Sequence, residues 1–532
     1  MLDFFLAALP ILFLIVVLTK PRPLSSPLAF SLAAILALGI QFIYFGTAGS
    51  LLLASVTAGL LNALTPITIV LGAIFFFIAM EKSGAMQPIK DWLHHISPNP
   101  VAQLMIVGWS FMFLLEGASG FGTPAALAAP ILVGLGFPAL RVAALCLVFN
   151  AISTPFGAVG TPLWFGFEDL GLSEEAMLAI GLQTAVWQTG AAMVLPITAL
   201  LLIVDGKTLY RNLPFAFLSV AFSVGPMTLL AFINYEFPTV VGGSVGLVLS
   251  ILAAKLGIGL EKEPKTRTDN SPSSPPKVDL LLLTKALSPI VLTVAILLVT
   301  RVPALPFRAL LTKQEGAWNL PLGPLGDFFL SPSLVIGLEN IWQEGLRWSH
   351  AILYVPSFLP FFLSAALALW LFGDFRTKGM EALWETKKKI TRPVLALFAA
   401  LVVVNLLSIG ADRAPTMVMG QFFAQAAGDS WVYLAPFLGA LGSFFSGSTT
   451  ISNLTFGGIQ YSIAQEAGLP TTLLLALQCA GASMGNMACI HNIVAVCAVL
   501  GLVNKEGAIL KTVAPLFLLH GFLLALLTLL LA

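Results

Sequence analysis

The sequence predicts an all-α polytopic membrane protein of about 12–14 transmembrane helices with two re-entrant helical hairpins in inverted repeats. Of its 532 residues, 58% are hydrophobic and 10% are charged, whereas a soluble chain carries about 25% charged residues. Apolar segments of about 17–25 residues recur along the chain, which is the length that crosses a bilayer as a helix. This pattern excludes a soluble enzyme. The net charge of +1 gives no sign of nucleic-acid binding.

The predicted spans share an apolar composition over the length of a membrane helix. They lie at 3–19, 27–45, 51–80 (broken near Thr65-Pro66), 101–116, 138–153, 180–204, 213–234, 238–257, 284–300, 349–372, 390–410, 431–446, 470–484, 487–503 and 509–531. The first span lacks a basic segment and a small-residue cleavage site, so we interpret it as a retained helix and not as a signal peptide.

Two stretches, 117–135 and 447–466, are too short or too rich in Gly, Ser and Thr to be ordinary spans. Irregular backbone persists at membrane depth only inside protein or along a wet cavity. We therefore predict that each stretch forms a re-entrant hairpin.

A polar segment rich in Pro and Ser divides the chain into two halves. This segment, 261–279, predicts a flexible cytoplasmic linker between an N-terminal half (1–260) and a C-terminal half (280–532). Basic segments favour the cytoplasm, and three of them agree on one orientation: Lys207/Arg211, 255–285 and Arg376 to Arg392. The loop 301–348 then lies outside, where its Trp and Pro residues favour a short interfacial helix.

The two halves contain a weak internal repeat, at about 101–165 and about 431–503. Aligning the Gly-x-Pro turns at Gly136 and Gly468 gives each copy a polar break, an apolar arm, a turn, a helix and a second polar break. The alignment places Glu116 on Ser448, Phe121 on Asn453 and Thr154 on Asn486. Because the predicted topology gives the copies opposite orientations, we interpret them as an inverted repeat, a common architecture of secondary transporters.

The stretch LLEGASGFGTPAA, Leu114 to Ala126, places a carboxylate and several helix breakers at the depth of the bilayer. A broken membrane helix frees backbone N–H and C=O groups, and a new helix N-terminus suits an anion. An intramembrane carboxylate faces a cavity, pairs with another group or is protonated. Glu116 is therefore either a coupling proton site or cavity ligand, or a structural carboxylate that caps N–H groups or pairs with a cation such as Arg141.

Three further polar breaks are predicted to complete one central cavity: SGSTTISN (446–453), NAISTPFGAVGTP (150–162) and GASMGNMACIHN (481–492). Paired breaks in the two halves are the best sequence indication of a binding site. The predicted substrate-binding residues are Gly117, Ser119, Gly120, Gly122, Thr123, Asn150, Ser153, Thr154, Ser448, Thr449, Thr450, Ser452, Asn453, Ser483, Asn486, His491 and Asn492. The predicted proton-coupling residues are Glu116 and His491, although His491 is equally well a hydrogen-bonded structural histidine.

No metal site and no cofactor is predicted. The four cysteines, Cys146, Cys479, Cys489 and Cys497, all lie in apolar runs, and we interpret them as buried packing residues.

The motif LLEGASGFGTPAALAAPILVGLGFPALRVAALCLVFN closely resembles the glutamate- and glycine-rich signature of the bacterial L-lactate permease family. SGSTTISNLTFGGIQ and GLVNKEG resemble its second half. The resemblance is specific across 101–165 and 436–507. It implies proton-coupled import of L-lactate, glycolate and related 2-hydroxymonocarboxylates across the bacterial inner membrane. It also implies an elevator-like mechanism, with a mobile transport domain against a scaffold that often forms dimers.

Two positions depart from the family pattern, in which an aspartate usually stands at Thr449 and a lysine at Asn486. Either a charged pair was replaced by a neutral one, or the substrate or coupling has changed. Without the lysine, hairpin N–H groups and hydroxyls must hold the substrate carboxylate, or Arg413 or Arg141 must reach it.

Some functions other than a proton-coupled carrier would need other sequence features. A carrier of another organic anion, coupled to sodium or to protons, fits the hydroxyl-rich hairpins as well. A membrane-embedded hydrolase is disfavoured because the chain has no His-Glu-x-x-His and no Gly-x-Ser-x-Gly motif. An ATP-driven pump is disfavoured because no Gly-x4-Gly-Lys-[Ser/Thr] loop is present. Only the family resemblance argues against a channel.

Overall fold

The structure, a computed structural model, describes residues 1–19, 24–94, 96–120, 123–261, 279–301, 305–355, 357–373, 375–410, 413–502 and 505–531. Within them the chain is mostly α-helical. The helices of the first half are α1 (Leu2–Thr19), α2 (Ser26–Ile43), α3 (Gly49–Asn62), α4 (Leu64–Ser83), α5 (Met86–His94), α6 (Pro100–Gln103), α7 (Met112–Ser119), α8 (Thr123–Gly134), α9 (Ala139–Ser153), α10 (Gly157–Trp164), α11 (Glu174–Ala192), α12 (Leu195–Leu200), α13 (Gly206–Arg211), α14 (Leu213–Ala231) and α15 (Pro238–Lys255). Most of the predicted linker, 262–278, lies outside the described residues.

The second half continues with helices of very unequal length. They are α16 (Leu280–Arg301), α17 (Phe307–Thr312), α18 (Leu363–Phe372), α19 (Phe375–Ser408), α20 (Pro415–Ala427), α21 (Trp431–Ser446), α22 (Thr449–Ala467), α23 (Thr471–Asn486), α24 (Ile490–Leu500) and α25 (Glu506–Leu531). Two π-helical segments, Leu104–Phe111 and Phe358–Phe362, lead into α7 and α18.

Nine helices in the described part of the chain are long and apolar enough to cross a membrane, so the protein is multi-pass. They are Gly49–Ser83, Pro100–Ala118, Ala139–Trp164, Glu174–Leu200, Leu213–Ala231, Pro238–Lys255, Leu280–Leu297, Phe375–Ser408 and Glu506–Leu531. Three shorter apolar helices are Leu2–Leu14, Pro27–Ile43 and Phe358–Phe372. Nine is fewer than predicted partly because breaks shorten the helices around the polar motifs: the predicted span 487–503 holds only the 11 residues of α24.

A four-stranded antiparallel sheet interrupts the helical pattern between α17 and α18, in the loop that the topology places outside. Its strands, in sheet order, are β1 (Trp318–Pro321), β2 (Asp327–Leu330), β3 (Val335–Ile341) and β4 (Leu346–Ala351). The sequence predicted a short helix in this loop, which α17 matches. The sheet was not predicted. Strands of four to seven residues with turns between them carry too little periodicity to be recognised from sequence.

The sheet docks on α3 through one apolar face. Leu338, Ile341 and Trp348 pack with Ala54 and Ala58 of that helix. Two hydrogen-bond contacts also fix the orientation of the sheet. Trp342 Nε1 donates to Thr57 Oγ1 over 2.9 Å, and His350 Nδ1 lies 3.0 Å from Thr65 Oγ1. The loop outside the membrane is therefore fixed to the junction between α3 and α4.

The buried His350 makes the docking of the sheet sensitive to acid. Burial lowers the pKa of His350 from 6.5 to about 4. The imidazole binds a proton below pH 6.5 in the unfolded chain, but only below about pH 4 in the folded chain. The free energy of unfolding therefore decreases as the pH falls from 6.5 to about 4, by about 3 kcal/mol in total. We expect the midpoint of thermal unfolding to fall between about pH 7.5 and pH 5, and to fall less in His350→Gln. Equal shifts in both chains would contradict this.

Both halves contain the same order of elements: a helix, a break, a helix, a glycine turn, a helix, a break and a helix. They are α7 to α10 in the first half and α21 to α24 in the second. The turn glycines Gly136 and Gly468, both at positive φ, are offset by 468 − 136 = 332, as aligned from sequence. The glycines that end the first helices, Gly120 and Gly447, are offset by only 447 − 120 = 327. The sequence alignment is therefore wrong across the first break, because α22 has 19 residues and α8 has 12.

The core lies around these repeated helices. One cluster of buried apolar side chains joins α4, the π-helical segment before α7, α8, α9, α14 and α25, and a second joins α1, α2 and α19 to α20, α21, α22 and α23. All four cysteines are buried and free, as the sequence predicted. Helix α9 also contacts α23, and α10 contacts α22. The breaks of the two halves therefore meet inside the protein.

Candidate functional site

The first break ends α7 inside the protein. Gly120 follows Ser119 with φ 59° and ψ −155°, a conformation open essentially only to glycine. Glu116 lies in the last turn of α7 and is 3% exposed. Gly117 beside it packs against α15, where a Cβ would lie 2.5 Å from the backbone nitrogen of Val240. The break therefore holds a buried carboxylate, while Gly117 serves helix packing.

The Glu116 carboxylate accepts a hydrogen bond from Asn150, and a neighbouring glycine leaves space for the carboxylate. Asn150 Nδ2 donates to Glu116 Oε2 over 3.1 Å. A Cβ on Gly157 would lie 2.3 Å from Glu116 Oε1, so a side chain there would displace the carboxylate. Among the described residues no Lys, Arg or His forms an ion pair with Glu116. Arg141, a partner left open by the sequence, is exposed.

The break after α9 is a run of left-handed backbone. A 3-10 turn at Thr154–Phe156 follows α9, and Ala158, Val159 and Gly160 then have φ of 44°, 59° and 69°. Two of these residues are not glycine, and such a conformation costs each of them about 1–3 kcal/mol. Two freed carbonyls receive side-chain hydrogen bonds: Thr161 Oγ1 donates to Ala158, and Trp164 Nε1 donates to Val159 over 3.0 Å.

In the second half the break begins α22 at the cavity. α21 ends at Ser446, Gly447 follows with φ 72°, and α22 starts at Thr449. Ser448 caps this helix, its hydroxyl accepting from the Ile451 N–H over 3.3 Å. The other N–H groups of the first turn have no partner inside the helix, and the helix dipole adds partial positive charge there. This helix start can therefore receive an anion.

The fourth break lies between α23 and α24, at Asn486. Asn486 Nδ2 lies 3.5 Å from Thr449 Oγ1, a contact at the long limit of a hydrogen bond. Asn492 Nδ2 donates to the Asn486 backbone oxygen over 3.2 Å and also to Asn486 Oδ1. The two positions where the sequence departs from the resembled pattern are thus neighbours, and they form a neutral pair.

All four breaks line one small cavity, with residues from both halves on its walls. The first half contributes Glu116, Gly120, Thr154, Gly157, Ala158 and Pro162, and the second contributes Gly447, Ser448, Thr449, Thr450 and Asn486. The volume open to the centres of water molecules is about 20 Å³, which is room for about one water. Among the described lining residues, Glu116 is the single ionisable side chain.

The structure brings seven of the 18 predicted site residues to this cavity. Gly120, Thr154, Ser448, Thr449, Thr450, Asn486 and Glu116 line it. Asn150 and Asn492 lie behind the wall, on Glu116 and Asn486. The other described side chains bond elsewhere: Ser153 to the Asn150 carbonyl, Ser452 to Gly439, Asn453 to Pro162 and Ser483 to Ala480. Gly122 and the side chains of Ser119, Thr123 and His491 lie outside the described residues.

Four lining residues were missed as site residues by the sequence analysis: Gly157, Ala158, Pro162 and Gly447. Each stands inside a quoted polar break from which only residues with polar side chains were chosen. The missing signal was conformational, since glycine and proline line a cavity through their backbone.

Comparison with known proteins agrees with this architecture. A family model described as L-lactate permease matches residues 3–532. A putative L-lactate permease of Haemophilus influenzae is 44% identical over 527 residues, covering 99% of this chain and 98% of the relative. A glycolate permease of Escherichia coli is 27% identical, covering 98% and 94%, and an L-lactate permease of Escherichia coli is 26% identical, covering 95% and 91%. The chain therefore belongs to the L-lactate permease family and is a multi-pass protein of the bacterial cell membrane.

Proposed function

We propose that this chain is a secondary transporter that imports a small 2-hydroxymonocarboxylate, L-lactate or glycolate, together with protons. The observation that carries the proposal is the meeting of four chain breaks, two from each half, at one cavity with one carboxylate. Broken helices at the interface of two repeats are where secondary transporters bind substrate and coupling ion. The names of the relatives supply the substrate class.

The substrate carboxylate would lie against the start of α22. That helix end presents first-turn N–H groups without partners in their own helix, together with partial positive charge. Ser448, Thr449 and Thr450 add hydroxyl groups. Asn486 can bond the 2-hydroxyl group. Arg413, which the sequence left open as a partner, is exposed with its guanidinium 5.8 Å from the centre of the Phe45 ring. Neutral donors would therefore hold the anion.

Glu116 would couple the substrate to protons through charge repulsion. Two carboxylates about 4 Å apart repel by about 4 kcal/mol at an effective dielectric constant of about 20. An anionic substrate in this cavity therefore favours protonation of Glu116, so that the substrate and a proton enter the cell together. His491, the second predicted coupling residue, stays a hypothesis.

The cavity has room for about one water, so transport would require the breaks to separate. We propose that α7–α8 and α21–α22 act as re-entrant hairpins of a mobile transport domain, in an elevator-like cycle within a homodimer. The long α19, which contacts α2, α3 and α4, would belong to the scaffold.

The proposal is tested by uptake of labelled L-lactate and glycolate into proteoliposomes, driven in turn by a pH gradient and by a sodium gradient. Accumulation with the pH gradient is the expected result. Accumulation with sodium alone would support the second candidate, a sodium-coupled carrier of an organic anion, for which the neutral oxygens of Ser448, Thr449 and Thr450 are suitable ligands. No uptake by folded protein would exclude these substrates.

Restoring the charged pair at the fourth break tests whether the neutral pair is a matched replacement. Thr449→Asp alone buries an unpaired charge, and so does Asn486→Lys, so each single variant is expected to lose most of its lactate uptake. The double variant joins the charges across the 3.5 Å contact and is expected to recover at least part of it. A double variant as inactive as the singles would show that the pair is not interchangeable.

A further inference from the structure

A second cavity lies beside the central one, further along α22 from the start of that helix. Its volume is about 230 Å³, so it holds many waters, whereas the central cavity holds about one. Its walls are α22, the segment 166–170, the end of α19 and the start of α20. The hydroxyl groups of Ser408, Thr416 and Tyr461 add polar groups to a lining that is otherwise largely apolar.

Only a thin wall separates the two cavities. Asn453, which lines the second cavity, donates from Nδ2 to the backbone oxygen of Pro162, which lines the central cavity. This hydrogen bond is 2.9 Å long. Glycines bring the two sides of the wall together: a Cβ on Gly166 would lie 2.9 Å from Asn453 Cβ, and one on Gly457 would lie 2.9 Å from the Phe167 ring.

The second cavity lies on the outer side of the membrane in the predicted topology. Segment 166–170 is separated by a single candidate span, Glu174–Leu200, from the basic residues Lys207 and Arg211. The end of α19 is likewise one span from its basic start. Basic segments face the cytoplasm, so the walls of this cavity face outward. Asp169 lies at its exposed rim.

We infer that this cavity is the outer vestibule through which the carboxylate substrate reaches the central cavity, and that the contact between Asn453 and Pro162 is its gate. The inference rests on the proposed transport function. Asn453 thereby acts as a gating residue and not as a ligand. Opening requires loss of this hydrogen bond and separation of the packing contacts that Gly166 and Gly457 make at the wall.

Thiol labelling in right-side-out membrane vesicles tests the vestibule. The four native cysteines are buried, so the parent chain is expected to resist a charged, membrane-impermeant thiol reagent. Gly458→Cys adds a thiol to the vestibule wall, where a Cβ meets only Thr416, at 3.5 Å. Ser408→Cys adds one on the opposite, exposed wall. We expect both to be labelled from outside and to lose most of their lactate uptake on labelling.

Glu466→Cys is the matched control, because this residue is exposed on the same helix but outside the cavity. It is expected to be labelled without loss of uptake. Thiols at 458 and 408 that stay unlabelled, or that are labelled without effect on uptake, would overturn the vestibule. Uptake by the parent chain, measured in parallel, separates this failure from failure of the transport function itself.

The gate is tested with Thr450→Cys as a reporter inside the central cavity. Adding Asn453→Ala removes the bond to Pro162 and is expected to speed labelling from outside about fivefold, the factor that corresponds to about 1 kcal/mol for one neutral hydrogen bond. Thr455→Ala is the control, because the Thr455 hydroxyl donates to the Ile451 carbonyl within its own helix. Equal labelling rates in the reporter with and without Asn453→Ala, or no labelling in either, would overturn the gate.

Discussion

Glu116→Gln is expected to abolish uphill uptake of lactate while exchange of lactate across the membrane partly survives. The glutamine amide keeps the shape of the side chain and can still accept from Asn150, but it cannot release a proton. Because a neutral hydrogen bond contributes about 0.5–1.5 kcal/mol, exchange should stay within about tenfold of the parent rate. The measurement is accumulation under an imposed pH gradient, followed by counterflow of labelled lactate without a gradient.

Glu174→Gln is the control for this substitution. Glu174 is exposed in the first turn of α11, so losing its charge should leave both accumulation and exchange unchanged. Full accumulation in Glu116→Gln would contradict the coupling role. Loss of exchange together with accumulation would indicate that Glu116 holds the substrate or the fold of the cavity instead.

Gly120→Leu is expected to reduce both uptake and exchange to background. Leucine cannot adopt φ 59° and ψ −155° without a cost of about 1–3 kcal/mol. Its Cβ would also lie 3.1 Å from Ala158 Cβ, so the side chain enters a cavity with room for about one water. The measurement is uptake per folded protein, with the folded amount determined by size-exclusion chromatography in detergent.

Gly136→Leu separates backbone strain from obstruction of the cavity. Gly136 also has positive φ, at 96°, but a Cβ there meets nothing within 4 Å. Gly136→Leu should lower the yield of folded protein because the backbone is strained, while the folded fraction still transports lactate. Equal loss of specific uptake in both variants would mean that strain, and not the position in the cavity, stops transport.

The breaks were predictable because their residues are costly anywhere else in a membrane. The carboxylate at Glu116 and the polar run from Ser446 to Asn453 could only face a cavity or protein interior, and Gly120, Ser448 and Thr449 do line one. The turns at Gly136 and Gly468 were predictable for a similar reason, since Gly-x-Pro ends one helix and starts the next.

The contacts between distant segments were not predictable, because polarity does not specify a direction. Ser452 and Ser483 are as polar as Thr449, yet their hydroxyls bond to helix carbonyls, a common role of serine in membrane helices. The length of α22 was also not predicted, because its Gly, Ser and Thr residues have low helix propensity. Packing of α22 against α20 and α23 overrides this low propensity. Asn453 was assigned to the substrate, although its amide bonds to the backbone of Pro162.

The left-handed backbone at Ala158 and Val159 can change the rate of a transport cycle, but it cannot change the direction of net transport. Each residue there stores about 1–3 kcal/mol, which is comparable to a proton gradient of one or two pH units, at about 1.4 kcal/mol per unit. A carrier returns to its starting state after each cycle, so this stored energy cancels over a full turnover. It can still bring the closed state nearer in free energy to the states that follow, and so lower the barrier between them. Thr161 and Trp164, whose side chains bond to the strained carbonyls, would then determine how long the closed state lasts.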